Sequence, residues 1–399
     1  MAVINRIADY HGDLTAWRHH LHQHPELGFE EVRTSAFVAE KLHEFGCDEV
    51  HVGIATTGVV GVVHGRRGDP ATGRKLALRC DMDALPLEER TGLPYASQVP
   101  GRMHACGHDG HTTMLLGAAR YLAETRNFHG TVYLIFQPGE EGFGGGRVMV
   151  EEGLFERFPA EAVFGMHNWP GAAVGSFAIC KGPIMAATDT FAILIKGKGG
   201  HAALPHTTVD PILAASAVVQ GLQGVVARNV PPKESAVVSV TRIAGGDAYN
   251  VIPEAVELWG TVRTYTPELR TLCQERLEAT VAGVARGLGC VVEIDYRRGY
   301  PPTVNSDGET DFAADVAEEV VGPSRVNRDA TPSMGGEDFA YMLQQRPGAY
   351  ILMGNGPGDR GRVLHSPHYD FNDEALPVGV SYWVRLAERF LGSARPPTG

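Results

Sequence analysis

The sequence predicts an α/β protein: a mainly parallel sheet between layers of helices (α/β/α), with a smaller ferredoxin-like α+β domain inserted into it. Strand and helix patterns alternate along the first half of the chain, as they do in parallel-sheet domains. The pattern changes near residue 184 to the order β-α-β-β-α-β, which is typical of a ferredoxin-like domain. At 399 residues, the chain also exceeds the usual size of one hydrophobic core, which favours two domains.

Apolar runs and helical spacing define the elements of the first half. Helical spacing runs through "EEVRTSAFVAEKLHEFG", which ends at Gly46 as a C-cap, and through "HTTMLLGAARYLAETRN". Short apolar runs predict buried strands at "TGVVGVVHG", "RKLALRCDMD", "GTVYLIFQPGEEG" and "AVFGMHNWPG". In domains of this kind, functional side chains gather beyond the carboxyl ends of the strands.

The inserted segment has its own order of elements. Its helices are "VDPILAASAVVQGLQGVVARNV" and "PELRTLCQERLEATVAGVARGLG", with Pro211 and Pro267 near their first turns. Its strands are "TDTFAILIKGKGG", "ESAVVSVTRIAGG", "AVELWGTVRTY" and "CVVEIDYRR". Afterwards the first pattern resumes, with helices around 309–321 and 337–345, a strand at "AYILMG" and a last helix at about 376–391. We therefore expect one domain from residues 1–184 and 298–399, and an inserted domain from residues 185–297.

Composition excludes several classes of partner. The net charge is −12 and there is no lysine- or arginine-rich block, which argues against nucleic acid or an anionic membrane. The first residues, "MAVINRIADYHGDL", lack the apolar core of a signal peptide, and no run approaches the ~18 apolar residues of a membrane span. The six cysteines are scattered without a C-x-x-C pair, which favours reduced thiols in a cytoplasmic protein.

Side chains that bind metals cluster at predicted strand ends and loop mouths. Thiolate, imidazole and carboxylate groups suit Zn²⁺, Mn²⁺, Co²⁺ or Ni²⁺. The spacing matches neither H-E-x-x-H nor a zinc ribbon, so chance polar loop residues remain an alternative explanation. The residues concerned are Asp81 and Asp83 after one strand, Cys106 and His108 before a helix, Glu140 and Glu141 after the next strand, His167 after another, and His365.

Two of these motifs have rival explanations. In "QPGEEG", one of the adjacent carboxylates Glu140 and Glu141 can bind a metal while the other acts as a general base, or both can form a solvated acidic turn. Cys106 can instead be a nucleophile, which requires an imidazole within hydrogen-bond reach of its sulfur. His108 is two positions away, and an extended segment would hold the two side chains too far apart.

The inserted segment contains a glycine-rich motif and candidate polar ligands. "GKGGHA" at residues 197–202 matches G-x-G-x-x-A, but the helix that a dinucleotide site needs is delayed, so we predict a loop. P-loop and G-x-S-x-G patterns are absent from the sequence. Asn250 is expected in a loop and Arg263 on a strand. Arginine is a natural partner of a carboxylate, although a surface ion pair explains Arg263 more simply.

Nine motifs occur together in one order: "RCDMDALPLEE", "HACGHDGHTTMLLGAA", "QPGEEG", "MHNWPG", "GKGGHAALPH", "NVIPE", "GTVRT", "SMGGEDFAYM" and "LHSPHYDFND". Over about residues 10–390 the chain resembles the metal-dependent amidohydrolases that include hippurate hydrolase, N-acetyl-diaminopimelate deacetylase and the plant auxin–amino acid conjugate hydrolases. These are relatives of aminoacylase and the dinuclear zinc carboxypeptidases. The resemblance implies a catalytic domain with two divalent metal ions, an inserted lid and dimerisation domain, and cleavage of N-acyl amino acids.

The resemblance also implies a role for individual residues. Glu140 would be the general base. In the inserted domain, His201 resembles the residue that helps to stabilise the tetrahedral intermediate, and in dimeric relatives it reaches across from the partner subunit. Asn250 and Arg263 resemble the groups that hold the carboxylate of the substrate. Five residues would bind the metals: Cys106, His108, Glu141, His167 and His365.

One departure concerns the carboxypeptidase relatives, which carry H-x-D at the first strand end, where the histidine binds metal. Here the segment is "DMD", as in the hippurate-hydrolase branch, where Cys106 takes over the missing ligand. We therefore expect that Asp81 does not bind metal, and that Asp83 orients a ligand from behind or is purely structural. Two other histidines are expected either to support the ligands from behind or to have structural roles: His104 and His111.

The favoured hypothesis is hydrolysis of hippurate-like, N-acetyl or indole-acetyl amino acids to a carboxylic acid and a free amino acid. The metals would acidify a water and polarise the amide carbonyl. Glu140 would pass the proton of the water to the leaving nitrogen, and His201 would donate a hydrogen bond to the oxyanion as the inserted domain closes. The alternatives are a cysteine-nucleophile hydrolase and a catalytically silent metal- or ligand-binding protein. The expected partners are the small-molecule substrate and further copies of the chain, as a dimer or tetramer.

Overall fold

The computed structural model describes residues 3–358 and 362–392. A large sheet and a separate antiparallel sheet are present, and the predicted α/β fold class is confirmed. The chain divides into two compact units. The first comprises Met1–Ile184, Val304–Thr331 and Asp338–Gly399, and the second comprises Met185–Thr303 and Pro332–Glu337.

The elements are numbered in chain order within the described residues. The helices are α1 (Asn5–Ala8), α2 (His11–Gln23), α3 (Val32–Glu44), α4 (His108–Thr125), α5 (Gly145–Glu151), α6 (Leu154–Arg157), α7 (Pro211–Asn229), α8 (Pro267–Gly287), α9 (Asp307–Val321), α10 (Ala340–Leu343) and α11 (Leu376–Gly392). The strands are β1 (Glu49–Ile54), β2 (Gly58–His64), β3 (Arg74–Asp81), β4 (Gly130–Gln137), β5 (Ala162–Trp169), β6 (Phe177–Ala178), β7 (Gly182–Met185), β8 (Ala187–Lys196), β9 (Gly200–His201), β10 (Ala236–Ala244), β11 (Val251–Ile252), β12 (Ala255–Thr264), β13 (Val291–Arg298), β14 (Thr303–Asn305), β15 (Val326–Asn327) and β16 (Gly348–Gly354).

The large sheet belongs to the first unit and has the order β1-β2-β4-β3-β5-β16-β6-β15. Its centre is parallel, because β3 pairs with β4 and β5, and β5 pairs with β16, all in the same direction. These four strands are almost wholly buried, as parallel strands usually are. Their carboxyl ends therefore lie along one edge of the sheet, at Asp81, Gln137, Trp169 and Gly354.

Helix α4 lies at the centre of the core of this unit. All of its residues from His108 to Ala119 are buried, and it packs against α2, α11 and β3. Helix α11 is buried along most of its length in the same way, with Trp383 almost completely enclosed. The amino-terminal turn of α4 is therefore fixed by the core on which it rests.

None of the helices in the described part of the chain combines the length and the hydropathy that a membrane span requires.

The second unit has the chain order β8-α7-β10-β12-α8-β13 and an antiparallel sheet with the spatial order β10-β12-β8-β13. This is the β-α-β-β-α-β arrangement that the sequence predicts. Both helices begin with proline, which lacks the N–H that a first turn leaves unpaired. The side chains of Asp210 and Thr266 cap them by accepting backbone N–H groups.

Several elements differ from the sequence-based expectations. The helix expected at 337–345 is only α10, and the backbone at both of its ends forms turns with i→i+3 bonds, from Tyr341 N–H to the Asp338 carbonyl and from Gln345 N–H to the Met342 carbonyl. The segment expected to be a loop at 197–202 contains β9, which pairs with β11. Residues 298–303 and 332–337, expected in the first domain, belong to the second unit.

Candidate metal centre

Donor atoms of the five predicted metal ligands lie together in the first unit. The donors of Cys106, His108 and His167 are all within 4.8 Å of one another, as are those of Cys106, Glu141 and His365. A third such group consists of His108, Glu141 and the predicted base Glu140. Because the groups share members, the donors form one continuous cluster.

The cluster is assembled at the carboxyl edge of the large sheet. His167 lies near the carboxyl end of β5, and a short turn separates Glu141 from the end of β4. Cys106 and His108 flank Gly107, whose φ of 92° is a left-handed conformation that favours glycine. The His365 backbone N–H donates to the carbonyl of the residue before Cys106 at 2.8 Å, which ties this distant segment to the cluster.

Two of the histidines present Nε2 in a form suited to metal binding. His108 Nδ1 lies 2.8 Å from the Asp83 carbonyl oxygen, and His167 Nδ1 lies 2.6 Å from the Asn168 carbonyl oxygen. A carbonyl oxygen only accepts, so each Nδ1 carries a proton and each Nε2 is the ring nitrogen left to bind a metal. His108 Nε2 is buried and has no hydrogen-bond partner among the described residues. A buried polar atom without a partner is costly, and a metal ion at this position would satisfy it.

Acidic groups give the cluster a negative electrostatic potential. Burial alone would lower the pKa of His108, but Asp81 and Asp83 outweigh it and raise that pKa to about 10. Burial raises the pKa of the Cys106 thiol well above its usual value, and nearby carboxylates, Glu141 foremost, raise it further. The negative potential that keeps protons on His108 and Cys106 also favours a metal cation in their place. When a metal binds, it displaces the protons of such ligands. The residues present therefore fit a metal centre.

An imidazole does lie beside the Cys106 thiol, although it is not the one that spacing suggested. His167 Nε2 is 3.4 Å from the Cys106 sulfur. A cysteine nucleophile needs a thiolate, whereas the pKa of Cys106 is raised. Burial and His111 lower the pKa of His167 well below its usual value. Both groups are therefore neutral without a metal, which disfavours a cysteine-nucleophile hydrolase.

Asp83 lies directly behind two predicted ligands. Its carbonyl oxygen accepts the His108 Nδ1 proton, and its carboxylate accepts the Glu141 backbone N–H at 2.8 Å. Asp81 faces other partners, since its carboxylate oxygens lie 2.6 Å from His111 Nδ1 and 2.8 Å from Arg79 Nη1. Asp83 thus supports the cluster through hydrogen bonds, while Asp81 belongs to a network with His111 and Arg79 that adjoins the cluster, since its Oδ1 lies 3.8 Å from His108 Nε2.

That network is a buried charge cluster beneath the candidate site. Arg79 is fully buried and donates to Asp81, to Gln137 at 2.8 Å and to Asp338 at 3.1 Å. The Asp338 carboxylate also accepts the backbone N–H of Gly146 at 2.7 Å. One arginine therefore joins the ends of β3 and β4 to a segment more than 200 positions later in the chain.

His111 and Asn168 hold the loop that carries Cys106. His111 Nε2 accepts the Asn168 backbone N–H at 2.9 Å, so its Nδ1 carries the proton and donates to Asp81. The Asn168 amide donates to the Cys106 carbonyl at 2.6 Å, and the Tyr369 hydroxyl donates to the Asn168 amide oxygen at 2.8 Å. His111 is engaged through both ring nitrogens, and it also lies in a group of possible donors with Asp81 and His108.

His104 belongs to none of the donor groups found among the described residues. It is almost fully buried, and burial lowers its pKa to about 4. Neither of its ring nitrogens has a hydrogen-bond partner among the described residues.

The remaining predicted site residues lie in the second unit. His201 is exposed on β9, and the neighbouring Ala202 N–H donates to the Asn250 carbonyl at 3.0 Å, so His201 and Asn250 lie close together. Arg263 lies on β12, where its guanidinium donates to Thr261 Oγ1 and to the Val262 carbonyl. The ion pair that sequence reasoning considered for Arg263 is not found among the described residues; its partners there are neutral oxygen atoms.

Gly107→Ala is expected to disrupt the candidate site. A methyl group at this position would overlap the Asn168 amide nitrogen and the Tyr369 hydroxyl, and it would also strain the left-handed backbone. We expect a roughly 10- to 100-fold loss of metal affinity, measured by competition with a chelating dye. The matched control is Gly101→Ala, because Gly101 has φ of 72° but open space around its Cα. Equal metal affinity in the two variants would contradict the prediction.

Sequence reasoning missed several residues that support the cluster. Arg79 had a visible signal, because a charge inside the apolar run "KLALRC" requires a buried partner. The only sequence signal for Asn168 is its place in "MHNWPG", and the only signal for Asp338 is its place in "GGEDF". Their partners are far away in sequence, so local patterns do not reveal them.

The chain is similar to known proteins along almost its whole length. The family model described as peptidase family M20/M25/M40 matches residues 77–389. The hippurate hydrolase of Campylobacter jejuni is 42% identical over 391 residues, covering 98% of this chain and 100% of that protein. An N-acetylcysteine deacetylase of Bacillus subtilis is 41% identical over 379 residues, covering 95% of this chain and 97% of that protein. The crystal structure of Bacillus subtilis YXEP protein, described as a dinuclear metal-binding peptidase of the M20 family, aligns with a TM-score of 0.83 and 36% identity, covering 97% of this chain and 100% of that chain.

Proposed function

The chain belongs to peptidase family M20/M25/M40, and from this premise we propose that it is a metal-dependent amidohydrolase that cleaves N-acyl amino acids. The products are a carboxylic acid and a free amino acid. The observation that carries the proposal is the cluster of thiol, imidazole and carboxylate donors around Cys106, with Glu140 beside it. Hippurate and N-acetylcysteine, which two relatives are named for, are both N-acyl amino acids.

The proposed cofactor is a pair of divalent ions, either Zn²⁺, Mn²⁺, Co²⁺ or Ni²⁺. Such ions supply Lewis acidity that polarises an amide carbonyl and acidifies water. Asp83 supports the ligands by holding the His108 ring and the Glu141 backbone from behind. The proposed ligands are Cys106, His108, Glu141, His167 and His365.

Glu140 is proposed as the general base. It is 7% exposed, and a carboxylate oxygen lies within 4.8 Å of donor atoms of His108 and Glu141. From there it accepts a proton from the attacking water and delivers it to the leaving nitrogen. In the second unit, exposed His201 is proposed to donate a hydrogen bond to the developing oxyanion, and Asn250 and Arg263 to hold the substrate carboxylate.

A cytoplasmic location and a homo-oligomeric state are also proposed. All six cysteines are free, which fits a protein of the reducing cytoplasm. The family resemblance supports a homo-oligomer, either a dimer or a tetramer. Light scattering of the purified protein measures its mass in solution and so distinguishes these states.

Hydrolysis that depends on added metal tests the proposal. Purified protein is expected to release amino acid from benzoyl, acetyl or indole-acetyl amino acids when supplied with Mn²⁺, Co²⁺, Ni²⁺ or Zn²⁺. Chelation is expected to abolish this activity and metal addition to restore it, because the donors bind substrate-activating ions rather than forming a nucleophile. Activity that persists in excess chelator would favour the cysteine-nucleophile alternative. Failure on every substrate with metal present would favour a catalytically silent binding protein.

A further inference from the structure

We propose that Glu31 is a positioning residue for the general base: its buried carboxylate holds the backbone immediately before Glu140. The proposal rests on the function proposed above, in which Glu140 accepts the proton of the water. Glu31 lies just before α3, far from the cluster in sequence, and none of the nine family motifs above includes it.

The Glu31 side chain has no solvent-exposed surface and divides its two oxygens between two partners. Oε1 accepts the Gly139 backbone N–H at 2.8 Å, and Oε2 accepts the Thr57 hydroxyl proton at 2.6 Å. Burial raises the pKa of the Glu31 carboxyl to about 7, while the hydrogen bonds from Thr57 and Gly139 oppose this rise because they favour the ionised form. One oxygen therefore holds the loop that follows β4, while the other ties Glu31 to the turn before β2.

The backbone on the other side of Glu140 is held in the same way. The Glu141 N–H donates to the Asp83 carboxylate at 2.8 Å, so both neighbours of Glu140 give their N–H groups to buried carboxylates. The Glu140 carbonyl accepts the Gly142 N–H at 2.7 Å, which closes the turn. The peptide units that set the direction of the Glu140 side chain are thus fixed from both ends.

The conformation of Gly139 explains why such an anchor is useful. Its φ is 61°, a left-handed conformation with many alternatives for a glycine, and the chain reverses direction here. Its carbonyl accepts the Gly145 N–H at 2.9 Å, and Phe29 and Phe143 pack against its Cα. The Glu31 bond selects one conformation of a flexible residue directly before the base.

The two oxygens of Glu31 allow positioning to be separated from general stability. Glu31→Met keeps the length of the side chain but removes the acceptor for Gly139. Glu31→Gln keeps an amide oxygen that can accept the same N–H. Thr57→Val is the matched control, because it removes the other hydrogen bond of the same carboxylate and leaves the Gly139 bond in place.

We expect Glu31→Met to lower kcat by about 10- to 100-fold with KM and metal content close to wild type, because misplacing a catalytic group by about 1 Å has effects of this size. Glu31→Gln is expected to recover most of this loss, and Thr57→Val to lower the melting temperature without lowering kcat. A Glu31→Met enzyme with wild-type kcat, or a Thr57→Val enzyme with the same loss of kcat, would overturn the proposal. If the Met variant does not fold, Glu31→Asp replaces it, since its shorter side chain does not reach Gly139.

A second measurement is independent of turnover. Deuterium uptake of the peptide that contains Gly139 is expected to rise in Glu31→Met and to stay at the wild-type level in Thr57→Val, because only the first variant frees the amide. Unchanged uptake in Glu31→Met would overturn the proposal whatever the substrate. A wild-type protein that hydrolyses no N-acyl amino acid would instead refute the proposed function, and the uptake would still report on Glu31.

Discussion

Glu140→Gln is expected to remove nearly all turnover while the protein keeps its full complement of metal. The amide has the shape of the carboxylate but does not accept a proton at neutral pH, and a positioned general base contributes about 10²- to 10⁴-fold. The readouts are kcat from the release of free amino acid and metal content by elemental analysis of the dialysed protein.

The neighbouring Glu141 provides the matched control for that experiment. Glu141→Gln is expected to lose metal together with activity, because its carboxylate lies with Cys106 and His365 in one group of donors. Two adjacent isosteric substitutions should therefore have different effects on metal content. Activity close to wild type in Glu140→Gln would reject the general-base role, and loss of metal in that variant would identify Glu140 as a ligand.

Arg79→Met is expected to destabilise the first unit by about 3–5 kcal/mol, since it leaves buried carboxylates without their cation. Burial opposes ionisation of Asp81, but His108, His111 and Arg79 together hold its pKa well below the usual value. Removing Arg79 takes away a permanent positive charge beside Asp81 and also the link to Asp338. The measurement is urea unfolding of the metal-free protein, followed by tryptophan fluorescence.

An exposed ion pair provides the control for the Arg79 variant. Arg147 and Glu151 form such a pair on α5, with side chains about half exposed. Arg147→Met is expected to change stability by less than about 0.5 kcal/mol, because exposed pairs contribute little. Similar unfolding midpoints for Arg79→Met and the wild type would show that the buried network does not stabilise the fold.

Local patterns in the sequence predict those features that depend on neighbouring residues. The apolar spacing of "HTTMLLGAARYLAETRN" predicts α4, and Pro211 and Pro267 predict the starts of α7 and α8. Each of these depends on contacts within a few turns or on one fixed backbone angle. The long apolar strands were visible for the same reason, since a strand buried on both faces has no polar alternation.

Features that depend on contacts between residues far apart in the sequence cannot be predicted from local patterns. The imidazole beside Cys106 belongs to His167, which is 61 positions away, whereas spacing drew attention to His108. Asp338, just before α10, accepts a hydrogen bond from Arg79, which is 259 positions away. The family resemblance supplied the ligand set, but the tautomers and the supporting carboxylates required coordinates.

The discontinuity of the first unit has a consequence for synthesis on the ribosome. Strand β16 pairs between β5 and β6, and α11 packs on α4, so this unit lacks a central strand and a core helix until residues 348–392 have been synthesised. Residues 185–303 of the second unit emerge earlier and are nearly continuous. At about 5–20 residues per second, the early strands wait on the order of 10 s with an unpaired edge. The nascent chain, rather than the folded protein, is therefore the stage most exposed to aggregation.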